Sequence, residues 1–146
     1  MKTIILENDQ ATFKLGRSIG NIILKAKQKS IEIHLEGDLG AGKTTLVKEI
    51  LKFYGLSEPV TSPTFTIIEP YLIKNKKIYH IDLYRIENRK ELEVLGIDEY
   101  SNESDSIIFI EWPERGKGFF KDCDLEIQLN HLSENSREVI IKNFSN

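Results

Sequence analysis

Along the chain the apolar positions change period several times, and each change marks an element. Thr3 to Leu6 is a short β-like run, and Asn8 or Asp9 follows it, placed to cap a helix. Beyond that cap Ala11, Leu15, Ile19, Ile22, Ile23 and Ala26 recur at steps of three or four, the spacing of one helix face. Ile31, Ile33 and Leu35 then alternate with Glu32, His34 and Glu36, which predicts a strand ending directly at Gly37. From Lys43 the helical period returns in Leu46, Val47, Ile50, Leu51 and Tyr54, and Gly55 is placed to stop it. The order is strand, glycine loop, helix.

Leu56 to Thr64 carries Pro59 and Pro63 among hydroxyl residues and follows neither period, so a loop restricted by its prolines is predicted. Phe65 to Tyr71 and Lys77 to Leu83 are β-rich and flank the polar turn Lys74-Asn75-Lys76, the pattern of an antiparallel hairpin. Asn88 to Leu95 predicts a short helix closed by Gly96. Ile107 to Ile110 is apolar without alternation, as in a strand covered on both faces, and the run ends at Glu111. Leu125 to Leu129 and Val139 to Ile141 predict two more strands around a polar turn at Ser133 to Ser136. At 146 residues the expectation is one α/β domain over residues 1–146. Its central sheet is expected to be mixed and mainly parallel, flanked by helices and carrying an antiparallel hairpin.

Composition narrows the class. With 40% hydrophobic and 29% charged residues the chain suits a soluble globular protein. No apolar run approaches the roughly 18 residues of a membrane span, and the N-terminus lacks a basic stretch followed by an apolar one. A cytoplasmic protein without a membrane partner is therefore expected. Cys123 is the single cysteine, which removes any intrachain disulfide and fits a reducing compartment. A net charge of −3 argues against a broad basic face, so any RNA role is expected to be indirect.

The glycine loop carries the chemistry. Gly37-Asp38-Leu39-Gly40-Ala41-Gly42-Lys43-Thr44 fits G-x-x-x-x-G-K-[ST] without a mismatch, between a predicted strand and a predicted helix as that motif requires. A P-loop NTPase fold is the expectation. Glycines let backbone N–H groups turn toward phosphate oxygens, and the new helix offers its partly positive end to the same anion. Lys43 is expected on the β- and γ-phosphates, the Thr44 hydroxyl on Mg²⁺, and Thr45 near the α-phosphate. Asp38, inside the loop, is a candidate for orienting a water at the γ-phosphate. Guanine-specific N-K-x-D and D-x-x-G motifs do not occur: Asn75-Lys76-Lys77-Ile78 lacks the aspartate and Asp82-Leu83-Tyr84-Arg85 lacks the glycine. ATP is favoured over GTP.

A P-loop enzyme needs a carboxylate at the end of a neighbouring apolar strand, to hold the metal shell or polarise the attacking water. Asp82 and Glu111 both qualify. The run before Glu111 is the more apolar, so Glu111 is expected on the magnesium and Asp82 behind it or on the water. Thr61, Ser62 and Thr64 offer hydroxyls that can sense a γ-phosphate, and Arg85 offers a charge for phosphoryl transfer or a surface ion pair. His34, His80 and His131 lack metal-ligand spacing. Trp112 beside Pro113 reads as packing or as an interface anchor.

Four blocks in order now stand out: Gly37 to Thr45; Ser62-Pro63-Thr64-Phe65-Thr66 running to Glu69-Pro70-Tyr71; His80-Ile81-Asp82-Leu83-Tyr84-Arg85; and Glu111-Trp112-Pro113-Glu114. With Glu91-Leu92-Glu93 and Leu95-Gly96-Ile97 between the third and fourth, they span most of the chain. The set resembles the TsaE (YjeE) family, the P-loop ATPases required for threonylcarbamoylation of the tRNA adenosine next to the anticodon. The resemblance implies that Thr44 and Glu111 attend the metal, that Asp82 is needed for turnover, and that the Thr64 segment is a nucleotide-responsive switch. It also implies docking on a TsaD–TsaB complex, with tRNA met only through those partners and with hydrolysis, slow in the isolated chain, resetting the synthase between rounds. It sets the base near Asn8 to Thr12 and near a C-terminal basic residue, Arg137. Trp112 and the 56–71 loop are the candidates for the partner surface. Two other readings stay open: a nucleotide-dependent docking module without obligatory hydrolysis, and a small-molecule P-loop kinase.

Overall fold

The computed structural model describes residues 1–27, 30–120 and 122–142. In chain order the elements are β1 (Lys2–Leu6), α1 (Asp9–Lys25), β2 (Ile31–Glu36), α2 (Lys43–Phe53), β3 (Ile68–Ile73), β4 (Lys76–Asp82), α3 (Arg89–Val94), α4 (Ile97–Ser101), β5 (Ser106–Glu111), a 3₁₀ turn at Pro113–Gly116, β6 (Leu125–His131) and β7 (Arg137–Lys142). Local chemistry sets several boundaries. The Asn8 side chain accepts from the Ala11 amide at 2.9 Å and starts α1. Asn88 caps α3 in the same way through the Glu91 amide. Lys74 and Asn75 both take positive φ, 50° and 65°, which turns β3 tightly into β4.

Among the described residues the strands form one seven-stranded sheet in the order β1-β7-β6-β2-β5-β4-β3. Its centre, β6-β2-β5-β4, is parallel throughout, whereas β7 runs against β6 and β3 against β4. Because β1 runs against β7, it points the same way as the centre, so only β7 and β3 are reversed. The mixed, mainly parallel sheet expected from the sequence is thus present, hairpin included.

One face of the sheet packs on α1 and α2: Leu15, Ile19 and Ile23 meet Leu46, Val47, Ile50 and Leu51 above Ile33, Leu35, Ile78, Ile107 and Phe109. The helices approach closely at Gly16, where a Cβ would stand 2.6 Å from Glu49 Cβ. The Tyr54 hydroxyl also donates to the Gly20 carbonyl at 3.1 Å, fastening α2 to α1. On the opposite face Tyr79, Ile81, Ile108 and Ile110 are covered by Leu92 of α3 and Ile97 of α4, with Leu83 and Ile86 beside them. Every residue of β5 is buried, as an apolar run without alternation implies.

Two local expectations fail. The strand read from Phe65 begins only at Ile68; residues 63–66 form a turn in which the Ile67 amide donates to the Pro63 carbonyl at 2.7 Å. That turn leaves Phe65 82% exposed and holds Ile67 at φ 68°. The β-rich composition there yields to the turn, just before which Ser62 and Thr64 bond Asp82, described below. Helix α4 was not expected, because five residues are too few to show a helical period. Gly96, read as a stop, is at once the end of α3 and the left-handed cap of α4. No described helix is long and apolar enough to cross a membrane.

Candidate functional site

The parallel centre aligns three strand ends. Leu35 of β2 is in register with Glu111 of β5, and Glu111 with Asp82 of β4, so both carboxylates emerge at the level where β2 gives way to the glycine loop. Gly37, Gly40 and Gly42 take φ of 148°, 74° and 105°. At Gly37 a Cβ would lie 2.5 Å from the Leu129 carbonyl oxygen, so only glycine fits there. Helix α2 then starts at Lys43, and its first-turn amides face the loop.

Lys43 is 5% exposed. Its ammonium donates to the Gly37 carbonyl and, at 3.1 Å, to that of Asp38, and lies 4.2 Å from the centre of the Trp112 ring. Burial pulls its pKa below the ordinary lysine value, against the charges of Glu111, Asp82, Glu114 and Asp38. The Thr44 hydroxyl lies 3.1 Å from each carboxylate oxygen of Glu111. Asp82 is equally enclosed: its Oδ2 accepts from Ser62 and Thr64, each at 3.1 Å, and its Oδ1 from the Tyr84 amide at 2.9 Å. Trp112 takes φ 58°, a left-handed turn that lays its ring against Tyr84, centroids 5.0 Å apart.

Two cavities meet at the loop. One, of about 330 Å³, is bounded by Lys43, Thr44, Ser62, Thr64, Asp82, Glu111 and Trp112. The other, of about 420 Å³, is bounded by Asn8, Asp9, Thr12, Glu134, Asn135 and Arg137. Gly40, Ala41, Gly42 and Thr45 wall both, so the loop runs between a charged chamber and a wider polar one.

Of the residues singled out from sequence, Lys43, Thr44, Thr45, Thr64, Asp82 and Glu111 converge on the first cavity, and Asn8, Thr12 and Arg137 on the second. Asn8 spends its side-chain oxygen on the α1 cap. Arg137 turns its donors to main-chain carbonyls: those of Ala41 and Gly40 at 3.2 and 3.5 Å, and those of Ser133, Glu134 and Ser136 at 3.0–3.2 Å. It therefore ties the β6–β7 turn to the glycine loop. Asp38 and Thr61 are exposed and line neither cavity. Arg85 is exposed too, its guanidinium 5.1 Å from the Phe65 ring centre. Sequence reasoning set His80 aside, yet its Nε2 stands 2.6 Å from Glu111 Oε2 with both groups out of solvent. The available signal was its position two residues before Asp82, which puts both side chains on one face of β4.

The family model described as "Threonylcarbamoyl adenosine biosynthesis protein TsaE" matches residues 6–139, a span that includes every residue bounding either cavity. The chain belongs to the TsaE family. The tRNA threonylcarbamoyladenosine biosynthesis protein TsaE of Haemophilus influenzae is 40% identical over 133 residues, covering 90% of this chain and 84% of that protein. That of Aquifex aeolicus is 37% identical, covering 97% and 96%. In three dimensions the chain is similar to the crystal structure of Bacillus subtilis YdiB, with a TM-score of 0.79 and 26% identity over 99% of this chain and 86% of that one. Membership of this P-loop family implies a role in tRNA threonylcarbamoyladenosine biosynthesis and a bound nucleotide. The family resemblance and the P-loop fold expected from the sequence both hold.

Proposed function

We propose that this TsaE-family chain is a Mg²⁺-dependent ATPase whose cycle of binding and hydrolysis serves a TsaD–TsaB complex. The observation that carries the reading is the convergence of Lys43, Thr44, Asp82 and Glu111 on one cavity at the strand ends. The phosphates occupy this chamber and the base the wider one, with the loop amides between them.

Thr44 and Glu111 fit a magnesium ion, since they bring a hydroxyl and a carboxylate, both hard oxygen donors, to within 3.1 Å of each other. Bound there, the ion neutralises charge on the β- and γ-phosphates. The Thr44 hydroxyl donates a hydrogen bond to Glu111 and keeps its oxygen lone pairs for an ion. Lys43, held in the free chain by two loop carbonyls, passes its donors to phosphate oxygens. Asp82, in register with Glu111 and almost fully enclosed, accepts a proton of the attacking water and orients it. The water oxygen bonds to the γ-phosphorus, the bridging bond breaks, and its electron pair leaves with ADP.

Ser62 and Thr64 both donate to Asp82 Oδ2, which ties this segment to the carboxylate that orients the water. We read the segment as the nucleotide-responsive switch. We place partner docking on the 56–71 segment, which runs into β3 and where Phe65 is 82% exposed, together with the half-buried Trp112. The net charge of −3 supports leaving the tRNA to TsaD and TsaB.

Thr44→Ala tests the metal assignment. ADP binding in Mg²⁺ is expected to fall roughly tenfold, about 1.4 kcal/mol, toward the affinity measured in EDTA, which itself stays as in wild type. Unchanged magnesium dependence by isothermal titration would remove Thr44 from the ion.

A further inference from the structure

We infer that His80 is a positioning residue for Glu111: its imidazole N–H fixes the carboxylate that faces Thr44 and so sets how strongly the site takes Mg²⁺. The inference rests on the ATPase reading above.

His80 Nε2 lies 2.6 Å from Glu111 Oε2, and the two side chains are 0% and 3% exposed. A carboxylate only accepts, so Nε2 carries the proton. Among the described residues the other ring nitrogen, Nδ1, is buried without a hydrogen-bond partner. A buried polar atom left unsatisfied costs on the order of 1–3 kcal/mol, which makes imidazole a poor choice for packing alone. Its setting is that of a core residue. His80 pairs with Phe109 across the parallel ladder, and Ile78 precedes it on the same face of β4. Leucine or phenylalanine would suit that setting without the cost. The bond to Glu111 is what accounts for a histidine here.

The geometry shows what that bond does. Glu111 reaches Thr44 on α2 in front and His80 on β4 behind. Thr44 has a single proton and stands 3.1 Å from both carboxylate oxygens, so it does not decide between them. His80 does decide, because it binds Oε2 alone. Any turn of the carboxylate would break a short charge-assisted hydrogen bond between two buried side chains. With Oε2 held by His80, Oε1 would be the oxygen more available to an ion. Partners of this kind, one step removed from a metal, typically alter metal affinity or activity 10- to 100-fold.

The test compares His80→Leu with His80→Gln, whose amide N–H can take the place of the imidazole donor. ADP is titrated calorimetrically with Mg²⁺ and with EDTA, and each variant is melted. Wild type is expected to bind ADP more tightly in Mg²⁺. His80→Leu is expected to lose roughly 10- to 100-fold of that gain while keeping its EDTA affinity and a cooperative melt, and His80→Gln to restore most of it. In turnover, KM for ATP in Mg²⁺ is expected to rise with the lost magnesium gain. A full magnesium gain in His80→Leu overturns the inference. So does a His80→Gln variant as poor as His80→Leu when both melt cooperatively, since the loss then follows shape and not the donor. Should His80→Leu fail to fold, His80→Gln and the shorter His80→Asn decide: a better magnesium gain in the glutamine variant supports the positioning role, and equal gains overturn it. A wild-type chain without any magnesium gain would instead defeat the ATPase reading itself, and the inference with it.

Discussion

Lys43→Ala is expected to leave a folded chain that binds ATP at least 100-fold more weakly and shows no measurable turnover. The lysine is 5% exposed and sits where the loop, α2 and both carboxylates close on one chamber. Its present partners are two main-chain carbonyls and an aromatic face, none of which matches a phosphate for charge. Each charge-assisted bond it makes to a phosphate oxygen is worth about 1.5–3 kcal/mol, and a hundredfold loss corresponds to about 2.7 kcal/mol. The fold should not suffer, because the substitution removes a cation that burial already disfavours. Isothermal titration with ATP, beside a melting curve, checks both halves. ATP affinity within tenfold of wild type would mean that the phosphates lie elsewhere.

Asp82→Ala separates hydrolysis from docking. ATP binding is expected to survive, because Lys43, Thr44 and the loop amides are untouched, while turnover falls about 10²- to 10⁴-fold, the usual weight of a positioned acid or base. The same substitution frees Ser62 and Thr64, whose hydroxyls share Asp82 Oδ2, so the 62–67 segment should become more mobile. Complementation in cells should be poor. Full complementation with turnover lost would favour the nucleotide-dependent docking module, in which ATP is needed only to assemble.

The sequence announced the loop and its flanking elements because their signals are local: a motif of eight residues, an alternating strand before it and a helical stripe after it. The burial of β5 on both faces was equally local, written in four consecutive apolar residues. What escaped were relations between distant segments. Placing β1 beside β7, and β6 between β7 and β2, depends on pairings that no single stretch specifies. The bond from His80 to Glu111 follows from the parallel register of β4 on β5, which joins residues 31 positions apart. Arg137 does border the wider cavity, but the five carbonyls of the loop and the β6–β7 turn that its donors meet lie in segments no local pattern connects. Phe65 to Ile67 reads as strand by its β-rich composition, which carries no sign of Asp82 accepting from Ser62 and Thr64 just before the turn that precedes Ile68.

Hydrolysis of ATP by the purified chain with Mg²⁺, alone and then with the TsaD–TsaB complex, tests the central proposal most directly, with Lys43→Ala as the blank. Slow turnover alone and a clear rise with the complex, both absent from the blank, are the expected result. Tight ATP binding with no hydrolysis under either condition would contradict it and leave Asp82 and Glu111 without the roles given them here.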